Sequence, residues 1–340
     1  MEDQVALILD TQSAKMIDPN DIPENSCYDN SMLDSFRTCN RKFFFQHIRH
    51  WKPVKASIHL GFGSAWHGGM DVIWSQAKSS LTNKEILELA YKEFMKIWID
   101  CDLPLDDEML LLYYPKTPGR AKEMMEFYLD RYRESFLKEC EIIAIEEAFI
   151  IPLSDEDTLM YYMGRWDKIY EYRNRIYITD HKTTKSDKSQ WADSFSPNNQ
   201  IDGYLTAGHA VYGDKFWGIM IDGALCQKGS KKIDGLPPGI GFPKIPIQRA
   251  FGHLEGWRWE TLYTILMLRH NLGLLEEASK EQCNHLKAFP KNTTACSNYG
   301  GCTYMDICKT VTNPNEMEMP EDFKISIWSP LRLEETEDEI

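Results

Sequence analysis

Between Glu141 and Thr184 the apolar residues of this chain stop recurring at helical spacing. They fall into the runs EIIAIEEAFIIPL, TLMYYMGRWDKIYEY and NRIYITDHKT, rich in β-branched and aromatic side chains and broken by the polar stretches SDED and EYRNR. Successive antiparallel strands are the simplest reading. SPNNQIDGYLTAGHAVYG then supplies Ser196 as a helix N-cap with Pro197 in the first turn, and FWGIMIDGALCQ returns to strand. A helix joining two strands of one sheet is a crossover. The fold class predicted is therefore α/β, with a mixed sheet core flanked by helices.

The flanks read as helical. Asn30 or Ser31 can cap a helix running through MLDSFRTCNRKFFFQHI, where Leu33, Phe36, Asn40, Phe43 and Phe44 recur at helical spacing. LGFGSAWHGG reads as a Gly-bearing loop entering a second helix near Ser64, and helical patterns follow over 83–99 and 118–138. Beyond the sheet, GLPPGIGFPKIP is a Pro/Gly-rich connection. A long helix over roughly 256–282 precedes a Cys-rich segment. The expected organisation is an N-terminal extension (1–26), one domain over 27–312 and an acidic, poorly structured tail (313–340). Within the domain, 27–140 is helical, 141–226 forms the sheet core and 227–312 is helical again.

With 340 residues, 43% of them hydrophobic, the chain can bury a sizeable core. No apolar run is long enough for a membrane helix and the first residues lack a basic stretch before an apolar one, so the expectation is a soluble, cytoplasmic protein without membrane contact. The nine cysteines are odd in number and unevenly spread, which favours reduced thiols over a disulfide framework. The sequon Asn292-Thr293-Thr294 is then a chance match. A formal net charge of -14 argues against nonspecific coating of nucleic acid. It leaves local basic patches as candidates: Arg41, Lys42, Arg49 and Lys52 in one, Lys228, Lys231 and Lys232 in another. Each has a plain alternative as a solvated face.

Chemistry concentrates in GRWDKIYEYRNRIYITDHKTTK. Asp180 and Lys182 are two apart on a strand, so both leave the same face, and pairing through EYRNR brings Asp167 roughly opposite Asp180. Two carboxylates held close repel unless a divalent cation fills the gap, and hard oxygen donors select Mg²⁺ or Mn²⁺. A lysine whose pKa is lowered beside such an ion could orient or deprotonate an attacking water. D-x-K alone also describes a surface hairpin with exposed ion pairs worth about 0–1 kcal/mol each. Gln200 and Tyr204, four apart on the next helix, share a face. His67 sits in an early helix; alone it would read as a core histidine.

Taken in order, G-S-A-W-H at 63–67, G-R-W-D at 164–167, D-H-K-T at 180–183 and Q-I-D-G-Y at 200–204 resemble the RecB-like branch of the PD-(D/E)xK nuclease superfamily. The resemblance covers about residues 27–310 and implies a restriction-endonuclease-like fold. It further implies that His67, Asp167, Asp180 and the His181 carbonyl ligate Mg²⁺ or Mn²⁺, that Lys182 is the catalytic lysine, and that Gln200 and Tyr204 position the scissile strand. Asp180 stands where the family often has Glu, so metal spacing is the feature most exposed to that difference.

CSNYGGCTYMDIC spaces Cys296, Cys302 and Cys308 too widely for the usual zinc pairs, and three thiols need a fourth donor from upstream. Cys39, in FRTCNRKFFFQ, resembles the early cysteine of iron-sulfur members of this branch, such as the AddB nuclease domain, the CRISPR-associated iron-sulfur exonucleases and phage-encoded relatives. The resemblance implies a 4Fe-4S cluster on Cys39, Cys296, Cys302 and Cys308. Zinc or free buried thiols are the alternatives, and Cys283 or Cys27 could replace one ligand.

The function implied is a metal-dependent DNA exonuclease on single-stranded ends, serving recombination, replication or processing in a virus or its host cell. Helicase, recombinase or single-strand-binding partners fit that setting. A competing class is a noncatalytic iron-sulfur nucleic-acid-binding subunit of a helicase or recombination complex, which would have no need of His67, Asp167, Asp180 and Lys182 together. KGSKK lacks the spacing of a phosphate-binding loop, so no motor is expected within the chain. Abundant Trp and Tyr can stack bases or pack a core, and Arg249 is a candidate phosphate contact.

Overall fold

The chain turns from helix to strand at Cys140, one residue ahead of the change in its apolar period. The computed structural model describes residues 26–154, 160–186, 189–229, 234–280, 287–298, 301–311, 313–314, 317–327 and 329–330. The expectations placed on residues 1–25, Lys231, Lys232, Cys283 and 331–340 lie outside them.

In chain order the elements are β1 (Cys27–Asp29), α1 (Asn30–Thr38), α2 (Asn40–Phe43) with a π-helical turn at Phe44–Ile48, β2 (Trp51–Pro53), α3 (Ile58–Ser75), α4 (Asn83–Asp100), α5 (Asp107–Tyr113) and α6 (Pro118–Glu139). There follow β3 (Cys140–Pro152), β4 (Tyr161–Tyr172), β5 (Arg175–Thr184), α7 (Ser189–Asp193), α8 (Asn199–Tyr212), β6 (Phe216–Cys226), β7 (Ile240–Gly241) and β8 (Lys244–Ile247). The last are α9 (Phe251–Lys280), α10 (Met305–Thr310) and β9 (Phe323–Ile325). A seven-stranded sheet has the order β1-β4-β5-β6-β7, with β3 beside β4 and β8 beside β6. The β4–β5 turn places Arg173 and Asn174 at φ 50° and 60°, the left-handed geometry of a tight hairpin. Because α8 crosses over, β6 returns parallel to β5, and the mixed α/β sheet flanked by helices is the fold read from the sequence. The N-cap of α8 is Asn198, which accepts from Ile201 N–H at 3.2 Å, two residues later than expected.

The Cα positions group into two compact units. One comprises Lys55–Phe149 and Arg165–Ala250; the other comprises the described chain up to Val54, Ile150–Gly164 and the chain from Phe251 onward. In the first, α3, α4 and α6 bury a shared apolar core that includes Phe62, Trp66, Phe94, Trp98, Met125 and Tyr128. Here the expected glycine loop is a correction: α3 starts at Ile58 under a Ser57 cap and runs straight through LGFGSAWHGG. A Cβ on Gly61 would lie 2.5 Å from Leu103 Cδ1, and one on Gly69 2.3 Å from Met125 Cε. Gly61 lets the connection between α4 and α5 approach α3, and Gly69 lets α6 approach it; neither serves a turn. The Pro/Gly-rich connection also carries β7 and β8. Pro246 is tolerated in β8, which pairs β6 as a short edge strand.

In the second unit, Cys27, Ile150, Tyr161 and Met163 pack together where β1 runs parallel to the start of β4. Asp29, not Asn30 or Ser31, caps α1, accepting from Ser31 and Met32 N–H at 2.6 and 3.1 Å. The expected continuous helix breaks at Cys39, whose φ of -165° and ψ of 115° are extended. The turn that follows buries Phe43, Phe44 and Phe45: rings of the first two lie 6.0 and 5.7 Å from Phe289, and Phe45 stacks 5.5 Å from Trp51. Residues beyond 312 do contain regular structure, since β9 pairs antiparallel with β2 and Phe323 packs 5.5 Å from Tyr304.

Candidate active site

The β4–β5 ladder runs from Tyr172↔Arg175 to Lys168↔Thr179. Asp167, the next residue of β4, turns its carboxylate to β5 instead: Oδ2 accepts the His181 N–H at 2.6 Å. A side chain thus takes a backbone donor that a strand carbonyl would otherwise satisfy. His67, from the middle of α3, places Nδ1 3.4 Å from the same Oδ2. On β5, Lys182 Nζ lies 2.9 and 2.8 Å from the two oxygens of Asp180, which is 1% exposed. Gln200 and Tyr204 join one another on α8, Nε2 donating to the hydroxyl at 3.3 Å, and Tyr204 stands edge-on to Phe149. The structure therefore brings His67, Asp167 and the His181 backbone together, and pairs Asp180 with Lys182.

The family model of the PD-(D/E)XK nuclease superfamily matches residues 30–309. The chain belongs to the PD-(D/E)XK nuclease superfamily. Its mixed sheet between helices is consistent with the superfamily's restriction-endonuclease-like fold. Members are nucleases that act on DNA and usually use Mg²⁺ or Mn²⁺. No curated protein sequence matches the chain. A solved structure described as "Crystal structure of SSO0001" is similar over 59% of this chain and 85% of its own, at 13% identity and a TM-score of 0.23. Among the described residues no helix is long and apolar enough to cross a membrane.

Two carboxylates and an imidazole form a hard donor set of the kind these nucleases use to hold a divalent ion, so the residues fit the metal in chemistry. Among the described residues, however, no group of three or more His, Cys, Asp and Glu side chains is gathered in ion-holding geometry. The candidate ligands partner one another instead, His67 with Asp167 and Lys182 with Asp180. Electrostatics follow that pairing. Burial raises the Asp167 pKa, His67 and Lys182 oppose the rise, and Asp180 reinforces it. Burial alone would lower the Lys182 pKa, but the carboxylates of Asp180 and Asp167 outweigh it and hold the ammonium above its ordinary value. With carboxylates as its nearest charges Lys182 is held as a cation; the lowered pKa expected from the sequence belongs to a lysine beside a bound divalent ion.

Two further acids lie around Asp167 and were not singled out in the sequence. Asp71 is one turn beyond His67 on α3, and its carboxyl is hydrogen-bonded to Glu146 of β3. Burial, then Glu146 and Asp167, pushes Asp71 up to about 9; burial and Asp167, relieved by Arg165, push Glu146 up to about 7. Glu146 sits at φ 53°, a strained position for a non-glycine strand residue, and Arg165 anchors it by donating to its carbonyl at 2.6 Å. The available signal was the four-residue spacing His67–Asp71 on one helix face. A carboxyl whose pKa rises on folding binds more protons in the native state, so stability falls as pH climbs from about 4 toward 9. In chelator-treated protein Tm should decline over that range, and Asp71→Asn should flatten the decline. Parallel curves for the two proteins would refute the assignment.

Behind the site, on the other face of β5, His181 Nδ1 lies 3.6 Å from Asp222 Oδ2 of β6. Asp222 also accepts from Tyr128 Oη of α6 and from Lys244 Nζ of β8. Register sets this row, since His181 pairs with Asp222 and Asp222 with Lys244. Burial keeps the imidazole neutral. Lys168, 2% exposed, places Nζ 3.4 Å over the Trp74 ring, and burial lowers its pKa to about 7.

Several expected phosphate contacts are committed internally. Arg249 pairs with Asp202 at 2.9 Å and donates to the Phe195 carbonyl, which ties down α8. Arg41 is buried and donates to the Phe289 carbonyl at 2.8 Å, and Arg49 donates to that of Met317 at 2.9 Å.

In the second unit the break at Cys39 turns its Sγ to accept from Asn292 N–H at 3.3 Å, and Cys302 N–H donates to the Cys296 carbonyl at 2.8 Å. Burial raises the Cys302 and Cys308 thiols. Cys39 adds to both rises, Cys296 to that of Cys302, and Cys302 to that of Cys308. Cys302 is thus linked electrostatically to Cys39, Cys296 and Cys308, and Cys308 to Cys39. The thiols match an iron-sulfur group in donor type, but among the described residues they are not gathered in ion-holding geometry.

Proposed function

We propose that the protein is a Mg²⁺- or Mn²⁺-dependent deoxyribonuclease, an exonuclease on single-stranded ends that serves DNA recombination, replication or processing. The observation supporting this reading most directly is the convergence of His67 on Asp167 beside the Asp180–Lys182 pair, at the point where the β4–β5 ladder stops. In this reading His67, Asp167, Asp180 and the His181 carbonyl hold the ion. When bound, such an ion supplies Lewis-acid polarisation of the phosphodiester. Lys182 places a fixed positive charge and N–H donors beside the attacked phosphate, where they orient the nucleophilic water and offset developing negative charge. Gln200 and Tyr204, pre-set by their mutual hydrogen bond, hold the strand in line.

The same reading gives Cys39, Cys296, Cys302 and Cys308 a 4Fe-4S cluster. It would tie the early helical break to the C-terminal segment across more than 250 residues of chain, closing a loop too long for local contacts alone to fix. The test is purification without air, an iron assay and visible spectrum, then incubation with end-labelled single- and double-stranded DNA and either ion. The expected result is about four irons per chain, their loss in Cys39→Ser, and cleavage preferring single-stranded ends. No cleavage with either ion would reject the nuclease; cleavage by protein prepared without air that lacks iron would reject the cluster alone.

A further inference from the structure

We propose that His59, Lys116 and Lys185 form a phosphate seat that grips the DNA strand beside the Asp167/Asp180 site. The inference rests on the nuclease reading and extends it to where the substrate backbone runs. His59, Gly63 and His67 are spaced by four on α3, so they share one face, and the eight residues from His59 to His67 span about 12 Å of helix. Against this face lies β5: a Cβ on Gly63 would be 3.7 Å from Thr183 Oγ1, one residue from Lys182. Lys185 follows the end of β5 in a turn closed by Thr184 Oγ1, which accepts from Ser186 N–H and donates to its carbonyl, both at 3.0 Å. Lys116, between α5 and α6, reaches in from the other side, with Nζ 5.5 Å from the centroid of the Phe62 ring on the same stretch of α3.

Electrostatics mark these groups as neighbours, with no described carboxylate acting on His59 or Lys116. Burial, then the ammonium groups of Lys116 and Lys185, lowers the His59 pKa. Burial also lowers that of Lys116; Cys226 opposes the shift and Lys185 adds to it. Among the described residues it is cations and a thiol, not carboxylates, that act on these two groups, in a chain whose formal net charge is -14. Lys116 is only 8% exposed, so its ammonium gives up hydration for a cation–π contact and the company of another cation. An anion would restore what burial removed. The N-terminus of the 18-residue α3 adds its partial positive charge at the same end. A strand's phosphates supply the repeated negative charge that a row of two ammonium groups and an imidazole fits.

The test uses the full-length protein in an Asp180→Asn background, so that DNA stays intact, and measures binding of a short fluorescent single strand across a salt series. For single strands each lost phosphate contact should reduce the steepness of log K against log salt by about 0.7. Lys116→Gln/Lys185→Gln should reduce it by about 1.4. Lys185→Gln alone, an exposed change that spares the core, should reduce it by about 0.7. Thermal melting identifies any misfolding of the double variant, in which case the single variant decides. An unchanged slope overturns the seat. The nuclease reading is scored separately by wild-type cleavage: cleavage with unchanged slopes sinks the seat alone, whereas absence of both binding and cleavage sinks both.

Discussion

Asp180→Asn should lower divalent-ion-dependent DNA cleavage by roughly 10²–10³-fold or more, the scale set by removing one preorganised electrostatic group from an active site, while the protein stays folded. Asparagine keeps the shape of the side chain and removes one negative charge from beside Asp167 and Lys182. The structural consequences are small in both directions. Asp167 loses a repulsive neighbour, which favours the fold, and Lys182 loses its 2.8 Å partner but keeps partial exposure, so its ammonium can turn to water. The chemical consequence is one-sided, because an amide is a poor ligand for a hard cation and cannot hold the lysine by charge. Single-turnover cleavage of end-labelled DNA, with melting curves for both proteins, separates these effects. Wild-type cleavage rates in Asp180→Asn would remove the site from consideration.

What could be read ahead of the structure was whatever depends on short spacing. The period-two runs after Glu141, the tight EYRNR turn and the i, i+2 relation of Asp180 to Lys182 are local, and each appears as a backbone feature. Contacts that join distant residues were not legible. Gly61 and Gly69 looked like loop residues because the Leu103 and Met125 side chains that demand their smallness lie far along the chain. The Cys39 break was hidden by an apolar stripe that continues across it. Asp71 and Glu146 belong to different elements and become a pair only when α3 lies on the sheet. The lowered lysine pKa read from D-x-K supposes a divalent ion in place; the charges nearest Lys182 in the structure are carboxylates, which act the other way.

Asp222→Ala should carry the largest stability loss among single substitutions in the row behind the site, about 1–3 kcal/mol at neutral pH, because it leaves the buried Tyr128 hydroxyl without its acceptor and the buried Lys168 without an anion acting on it, while the part-exposed Lys244 can turn to water. Asp222 is 3% exposed and accepts from Lys244 and Tyr128 at once. Burial by itself would raise its pKa, yet Lys244, His181 and Lys168 outweigh that and hold it at about 2. A carboxyl whose folded pKa lies below its unfolded value of 3.8 contributes stability that is fully present above about pH 4 and is lost as pH falls toward 2. With 1.36 kcal/mol per unit the contribution is about 2 kcal/mol. The truncation also takes away the anion facing His181, whose N–H holds Asp167, so cleavage should fall along with stability. Asp222→Asn keeps the Tyr128 contact and should fall between wild type and alanine. Urea unfolding at neutral pH and near pH 3 decides the matter. The wild-type protein should lose stability between the two conditions, and the alanine variant should start lower and lose less. A neutral-pH loss under about 1 kcal/mol would mean that Lys244 and Lys168 shed their protons rather than stay charged, and that the row does not depend on the carboxylate.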